Sequence, residues 1–255
     1  MRESCSRFMA RIFITGSADG LGQLAAREMV NKGHQVVLHA RNGQRASEAL
    51  ERVPGAETAL VADLSVMAEI KKLSADVNAL GGFDAIIHNA GVYQVSAATI
   101  LTVNTLAPYI LTSLINRPKR LIYLSSGMHL GGDATLKGLE ANPPQATYSD
   151  SKLHDLILSK AVARRWPDVY SNALDPGWVA TKMGGKGAPD DLEKGFQTQV
   201  WLAVNEDPGA TLTGRYFHHK REDRYHPEAD DPEVQDHFLK LCAKITGVSF
   251  PKDLI

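Results

Sequence analysis

The sequence predicts a doubly wound α/β domain around a mostly parallel sheet of seven strands, and two patterns carry that expectation. From Arg11 onward, short apolar runs rich in β-branched residues alternate with longer segments of helical period, the order of repeated βαβ units. The first run leads directly into three glycines, Gly16, Gly20 and Gly22, at the opening of an amphipathic helix. The length of 255 residues fits one large α/β domain, so residues 10–255 read as that unit and residues 1–9 as a mobile tail.

The strands are expected at 11–15, 35–39, 57–62, 84–89, 120–125, 169–174 and 214–218, where the short apolar runs lie. Helices are expected at 21–32, 43–52, 65–80, 98–115, 148–165, 190–204 and 232–246. In the first helix Leu21, Leu24, Ala25 and Met29 form one stripe, and Gly33 stands where a helix favours glycine just past its end. Ile100, Val103, Ala107, Ile110 and Leu114 make the stripe of the fourth, with Leu153, Leu156, Ile157 and Ala161 that of the fifth. There is no internal repeat and no linker that would divide the chain. The stretch from His218 to Glu233 mixes both charge signs and reads as a solvated loop. Its histidines, His218, His219 and His226, lack the acidic or cysteine partners of a metal site, so no metal is expected.

Composition excludes several classes of function. Lys and Arg number 28 against 29 for Asp and Glu, which removes the electrostatic case for a nucleic-acid or anionic-membrane binder and leaves any anion site local. The two cysteines, Cys5 and Cys242, have no metal-ligand spacing and no second pair, as in a reduced compartment. Charges interrupt the opening Met1–Arg7, and no apolar run reaches the ~20 residues of a membrane span. A cytoplasmic protein is expected.

The glycine cluster points to a nucleotide. In Thr15-Gly16-Ser17-Ala18-Asp19-Gly20-Leu21-Gly22, Gly16 can take a tight turn, Gly20 lets backbone approach a phosphate, and Gly22 lets the helix pack near the sheet. The helix N-terminus adds free N–H groups and a positive dipole end. A ribose-binding acid is expected about 20 residues on, yet the second strand ends His39-Ala40-Arg41-Asn42. Arg41 offers a fork of donors to a ribose 2′-phosphate, which an acid would repel, so NADP(H) is favoured with NAD(H) as the alternative. Asp63-Leu64 suits an adenine contact, although Asp63 suits a helix cap equally. The small residues Asn89-Ala90-Gly91 let a strand end lie against a ribose.

Taken in order, TGSADGLG, Asn89-Ala90-Gly91, Asn104, Ser125-Ser126-Gly127 and Tyr148-Ser149-Asp150-Ser151-Lys152 resemble the short-chain dehydrogenase/reductase family over about residues 11–218. The longer Ser126–Tyr148 interval is similar to that of the retinol-dehydrogenase-like branch. The resemblance implies a Rossmann fold and a catalytic set of Asn104, Ser126, Tyr148 and Lys152. Tyr148 would exchange a proton with a substrate oxygen while hydride passes between the nicotinamide and the substrate carbon. Lys152 would hold the nicotinamide ribose, and Ser126 would polarise the carbonyl. It further implies cofactor contacts at Thr15, Gly16, Ser17, Gly20, Leu21, Gly22, Arg41, Asn42, Asp63, Leu64, Asn89, Ala90, Gly91, Tyr148 and Lys152. Asp175-Pro176-Gly177, followed by Thr181, resembles the family segment that meets the nicotinamide amide and phosphates. The partner implied is a small carbonyl or alcohol, with a homodimer or homotetramer as the assembly.

Physical chemistry supports the tyrosine and lysine. A second match, Tyr216 to Lys220, falls on an expected strand, where residues four apart lie about 13 Å apart; on a helix they are about 5 to 6 Å apart on one face. A free tyrosine titrates near 10, and an ammonium and an oxidised nicotinamide beside it favour the phenolate. Pro108 removes the helix partner of the Asn104 carbonyl, which is expected to accept from a water leading to Lys152, in preference to the alternative of a kink with a satisfied buried asparagine. Residues 180–196, with Gly184, Gly185 and Gly187, are a lid candidate. Tyr93, Met128, Leu130, Trp178 and Met183 suit either an apolar substrate pocket or ordinary packing. Two departures stand out: His88 before Asn89, and Asp19 inside the phosphate loop. The competing reading is a nucleotide-binding regulatory or scaffold protein with little turnover, which would be expected to have lost Ser, Tyr or Lys.

Overall fold

The computed structural model describes residues 9–251; the tail expected at 1–9 lies, except for Met9, outside the described residues, as does Cys5. The strands are β1 (Arg11–Ile14), β2 (Gln35–Ala40), β3 (Thr58–Val61), β4 (Ala85–His88), β5 (Arg120–Leu124), β6 (Tyr170–Asp175), β7 (Tyr216–His218) and β8 (Arg221–Glu222). They form one sheet in the order β3-β2-β1-β4-β5-β6-β7-β8, parallel from β3 to β7, with β8 antiparallel.

The sheet therefore has eight strands rather than seven. The extra strand returns through a turn in which His219 and Lys220 both take positive φ, 48° and 64°. Such turns favour Asn and Gly, so these two residues gave no turn signal. Tyr216 is buried on β7 and Lys220 stands in that turn, so their YxxxK spacing never becomes a helical face.

Helices cover both faces. On one side lie α1 (Gly20–Asn31), α2 (Gly43–Arg52) and α8 (Leu192–Val204); on the other lie α3 (Met67–Ala79), α4 (Ala97–Ile100), α5 (Ala107–Leu114), α7 (Tyr148–Arg165) and α9 (Pro232–Thr246). The short α6 (Lys137–Glu140) and turns at Gly127–Gly131 and Pro227–Asp230 carry too little periodicity to be read from sequence. Between α4 and α5 runs a π-turn over Leu101–Leu106, in which the Ala107 N–H donates to the carbonyl of Thr102 five residues back. A proline inside a helix removes one donor from the regular ladder, and here the spacing widens just before Pro108. By length and apolar composition Ala97–Leu114 could cross a bilayer, yet 72% of it is buried, and it serves as a core helix.

The long α7 starts at a capping box, Thr147 accepting from the Asp150 N–H while Asp150 accepts from the Thr147 N–H. Its middle, Ser151 to Val162, is buried throughout, with α9 packed along it. The strand order reverses at β1, which has β2 on one side and β4 on the other. Ligands of open α/β sheets bind in the crevice outside the strand ends at such a point.

Candidate active site

A cleft of about 510 Å³ opens there, walled by Gly16, Gly20, Leu21, Arg41, Asp63, Leu64, Asn89, Ala90, Gly91, Tyr148, Lys152, Pro176 and Thr181 among others. A hollow of similar size between α8 and the β7–β8 turn contains none of the motif residues.

At the glycine end, close approach dictates residue type. Gly16 has φ 65°, and a Cβ there would stand 2.8 Å from the Ala90 Cα; a Cβ on Gly22 would stand 2.4 Å from the Asn89 amide nitrogen. The Asn89 Nδ2 donates to the Thr15 and Gly16 carbonyls at 3.0 and 3.2 Å, and the Thr15 hydroxyl accepts from the Asn89 and Ala90 N–H groups at 3.1 Å each. Ser17 donates to the Ile14 carbonyl and accepts from the His39 N–H. Thr15 and Ser17 are buried, so their hydroxyls hold β1, β2 and β4 together and do not face the cleft. Gly22 is likewise a packing position. Asn42 caps α2, its amide oxygen accepting from the Arg45 N–H at 3.0 Å, and it is not among the cleft's wall residues.

His39, absent from the sequence-based site, locks the loop. Its Nδ1 accepts from the Gly16 N–H at 2.9 Å and its Nε2 meets the Ala62 carbonyl at 3.0 Å. The ring is therefore neutral with its proton on Nε2, and burial depresses its pKa to about 4. Asp19 caps α1, accepting from the Gly20 N–H at 2.9 Å, and pairs with Arg45 and Lys182. Although burial pushes the carboxyl up, these partners outweigh it and hold the group below the usual range. Arg45 and Lys182 also line the cleft.

Asp63 does not cap a helix. Its Oδ1 accepts from the Ser65 N–H and hydroxyl at 2.9 and 2.7 Å, while α3 begins after Val66 without a side-chain cap. Arg41 is exposed on the rim and close enough to help hold Asp63 below its ordinary pKa, after the larger effect of Ser65.

At the other end α7 brings Tyr148 and Lys152 to the cleft, the lysine Nζ 5.7 Å from the tyrosine ring centroid. The Lys152 Nζ donates to the Leu124 carbonyl at 2.7 Å and to Asp155 Oδ2 at 2.9 Å. Ser125, next to the expected Ser126, donates to the Lys152 carbonyl at 2.7 Å and is buried. Ser126 begins the Gly127–Gly131 turn, its Oγ accepting from the Met128 N–H at 3.3 Å. The buried His129 meets the Ser126 carbonyl at 2.7 Å through Nδ1. Ser126 and Gly177 flank the cleft and are not among its wall residues.

Asn104 is fully buried, and its amide is engaged: Oδ1 accepts from the Val92 N–H, and Nδ2 donates to the Val92 carbonyl and Ser151 Oγ. Ser151 in turn donates to the Tyr148 carbonyl. The side chain thus ties the Val92 loop to the first turn of α7. His88 points away from the cleft, stacked on Tyr123 at 4.8 Å and meeting Thr112 Oγ1. Tyr93 packs edge-on against Tyr148 at 4.8 Å. It is exposed, as are Met128, Leu130, Trp178 and Met183, so none of the five is core.

These observations test the fit of a dinucleotide. Gly16 and Gly22 leave no room for side chains, the cleft runs from Arg41 to Lys152, and cations stand at its rim. A fold of this kind with such a cleft is that of a Rossmann-type nucleotide-binding protein. The family model described as short chain dehydrogenase matches residues 10–117. An uncharacterized oxidoreductase of Emericella nidulans is 44% identical over 95% of this chain and 99% of its own. The short-chain dehydrogenase chyC of Penicillium rubens is 44% identical over 95% and 100%. Human retinol dehydrogenase 13 is 26% identical over 94% and 85%. Among solved structures, a protein from Mycobacterium paratuberculosis superposes with a TM-score of 0.80 at 22% identity, covering 95% of each chain. A Shigella flexneri short-chain dehydrogenase complexed with NADP gives 0.66 at 21% identity, covering 84% and 99%. The chain belongs to the short-chain dehydrogenase/reductase family.

Proposed function

We propose that the protein interconverts a carbonyl and an alcohol with NADP(H), Tyr148 serving as proton donor in reduction and acceptor in oxidation. The observation that carries this reading is the placement of Tyr148 and the Lys152 ammonium on one face of α7, in the cleft that the glycine loop also lines. When bound, NADPH supplies the hydride and NADP⁺ accepts it. In reduction the substrate carbon gains the hydride and its oxygen takes the Tyr148 proton; in oxidation the alcohol proton passes to the phenolate. Lys152 would hold the nicotinamide ribose, and the Ser126 hydroxyl beside the cleft would orient the carbonyl.

For the cofactor, Gly20, Leu21, Asn89, Ala90, Gly91, Pro176 and Thr181 would hold the phosphates and ribose, with Asp63 and Leu64 beside the adenine. Arg41 on the rim supports a 2′-phosphate, and the NADP complex of the Shigella relative is consistent with it. Val95 and Met183, both exposed, line the cleft, which favours an apolar carbonyl substrate. Any homodimer or homotetramer would use a surface other than α7, whose middle is covered by this chain's own α9.

The test is a panel of apolar ketones and aldehydes with NADPH and NADH, on wild type and Tyr148→Phe. Turnover is expected to fall at least ~100-fold, the scale of general acid–base catalysis, while NADPH binding, followed by fluorescence, persists. Equal turnover in the variant removes Tyr148 from the mechanism.

A further inference from the structure

A lysine ammonium has three N–H donors and no acceptor. Lys152 has committed two of them, one to the Leu124 carbonyl and one to Asp155 Oδ2. One N–H is left for Tyr148, a ribose or a relay water. Asp155 stands one turn further along α7 and is 4% exposed, against 6% for the lysine side chain. An ion pair this deep persists only when both charges are well matched, and removing one partner leaves the other buried and uncompensated.

We propose that Asp155 is a positioning residue of this site: it anchors the Lys152 ammonium and sets the pH range over which Tyr148 and Lys152 work as a pair. The proposal rests on the reading of Tyr148 as the proton donor. It assigns no contact with substrate to Asp155, which acts through Lys152.

The groups facing the pair come from several elements. On α7 itself they are Tyr148 and, in the buried middle of the helix, Ser151. From the end of β6 comes Asp175, whose charge also acts on Lys152. From β5 comes Tyr123, whose phenol is pushed far up by burial and further by Asp155, and which shares a 2.9 Å hydrogen bond with Thr112 on α5. Beyond Thr112 lies His88 of β4, kept neutral by burial. Burial alone would pull Lys152 down, but the charges of Asp155 and then Tyr148 more than offset it and leave the ammonium above its ordinary value. Burial pushes Asp155 up, and Lys152 draws back only part of that rise.

Removing a negative charge lowers the affinity of every neighbouring group for its proton. Lys152, 2.9 Å from Asp155 and 5.7 Å from the Tyr148 ring centroid, should lose its proton at lower pH without Asp155. Reduction needs the protonated phenol and the charged ammonium together. The alkaline limb of carbonyl reduction should therefore move to lower pH by about one unit in Asp155→Asn, the scale of one charge several ångströms away in a protein. Asp155→Glu, which keeps the charge, should restore most of the wild-type limb. A merely structural residue would lower turnover at every pH and leave the limb in place.

The experiment is the pH dependence of NADPH-driven ketone reduction in wild type, Asp155→Asn, Asp155→Glu and Tyr148→Phe, with NADPH binding followed separately. A limb displaced in Asp155→Asn and recovered in Asp155→Glu supports the proposal; an unmoved limb overturns it. The Tyr148→Phe arm separates the two readings. If it keeps full turnover, the acid–base assignment fails first, whereas turnover lost there with an unmoved Asp155→Asn limb overturns the positioning role alone. Should Asp155→Asn not fold, wild-type protein labelled with ¹³Cε-lysine decides, the Lys152 signal being assigned from its loss in Lys152→Arg. A midpoint above the ordinary lysine value of about 10.4 supports the anchor, and one below it overturns it.

Discussion

The two ends of the cleft do their work with different materials. Around Gly16 and Gly22 the wall is backbone and small residues, and the nearby hydroxyls of Thr15 and Ser17 are spent on holding strand ends together. Around Lys152 the wall is buried charge, an ammonium and a carboxylate 2.9 Å apart under β5. A phosphate needs donors that already point at it and free space to approach. Proton exchange instead needs groups whose affinities for a proton are tuned by their surroundings. Substitutions at the first end should therefore act on binding, and at the second on pH dependence.

Acid should expose the largest difference, because neutral histidines stand behind both ends. Burial depresses the pKa of His39 to about 4, beside the glycine loop, and that of His154 to about 4, on α7. An unfolded histidine titrates near 6.5, so between roughly pH 6.5 and 4 the unfolded chain holds more protons than the folded one. The stability these groups contribute is complete above that window and is lost as pH falls through it, by about 3 kcal/mol for His39 taken alone. Thermal melts from pH 7.5 to 4.5 should show the fall, and His39→Gln or His154→Gln should each flatten it. Only His39→Gln should also weaken NADPH binding, since only His39 accepts from Gly16. If both variants weaken it equally, the two ends are not separable in this way.

How much of this was legible in the sequence follows the range of the interactions involved. Helices at 43–52, 148–165 and 232–246 have the bounds that the sequence pattern predicts, because their caps, Asn42, Thr147 with Asp150, and Asp231, are set by neighbours a few residues away. The glycine loop was legible for the same reason. The direction of a side chain was not: Ser17 and Asn104 carry the motif yet turn to backbone partners that only the folded chain brings near. His39 reaches Gly16 across 23 positions. Asp155, only three residues from Lys152, was within reach, since an acid at that spacing on a helix faces the lysine. Its significance depends on burial, which the spacing does not reveal.

A smaller effect concerns the choice of dinucleotide at the Arg41 rim. Arg41→Ala should raise the KM for NADPH about tenfold, within the range for a charge-assisted hydrogen bond, and leave that for NADH nearly unchanged. Steady-state kinetics with both cofactors measures this directly. Matched increases would count against a 2′-phosphate clamp and would move Arg41 to a general role at the cleft edge.

The smallest effect is expected at Lys182, where the segment after β6 touches the phosphate loop. Its ammonium pairs with Asp19, whose carboxylate caps α1 and also meets Arg45. The Lys182 side chain is 77% exposed, and pairs of that kind contribute about 0 to 1 kcal/mol, reduced further by salt. The Asp19 charge would otherwise stand unbalanced where a pyrophosphate must approach, so Lys182→Ala should weaken NADPH binding, by no more than about threefold at low ionic strength. Raising salt to about 0.5 M, where the screening length falls well below 10 Å, should bring wild type and variant together. Calorimetric titrations at the two salt concentrations check both points. A loss that survives high salt would mean that Lys182 touches the cofactor directly, and the contrast drawn here between a backbone-built end and a charge-built end would then need a second charged group at the phosphate side.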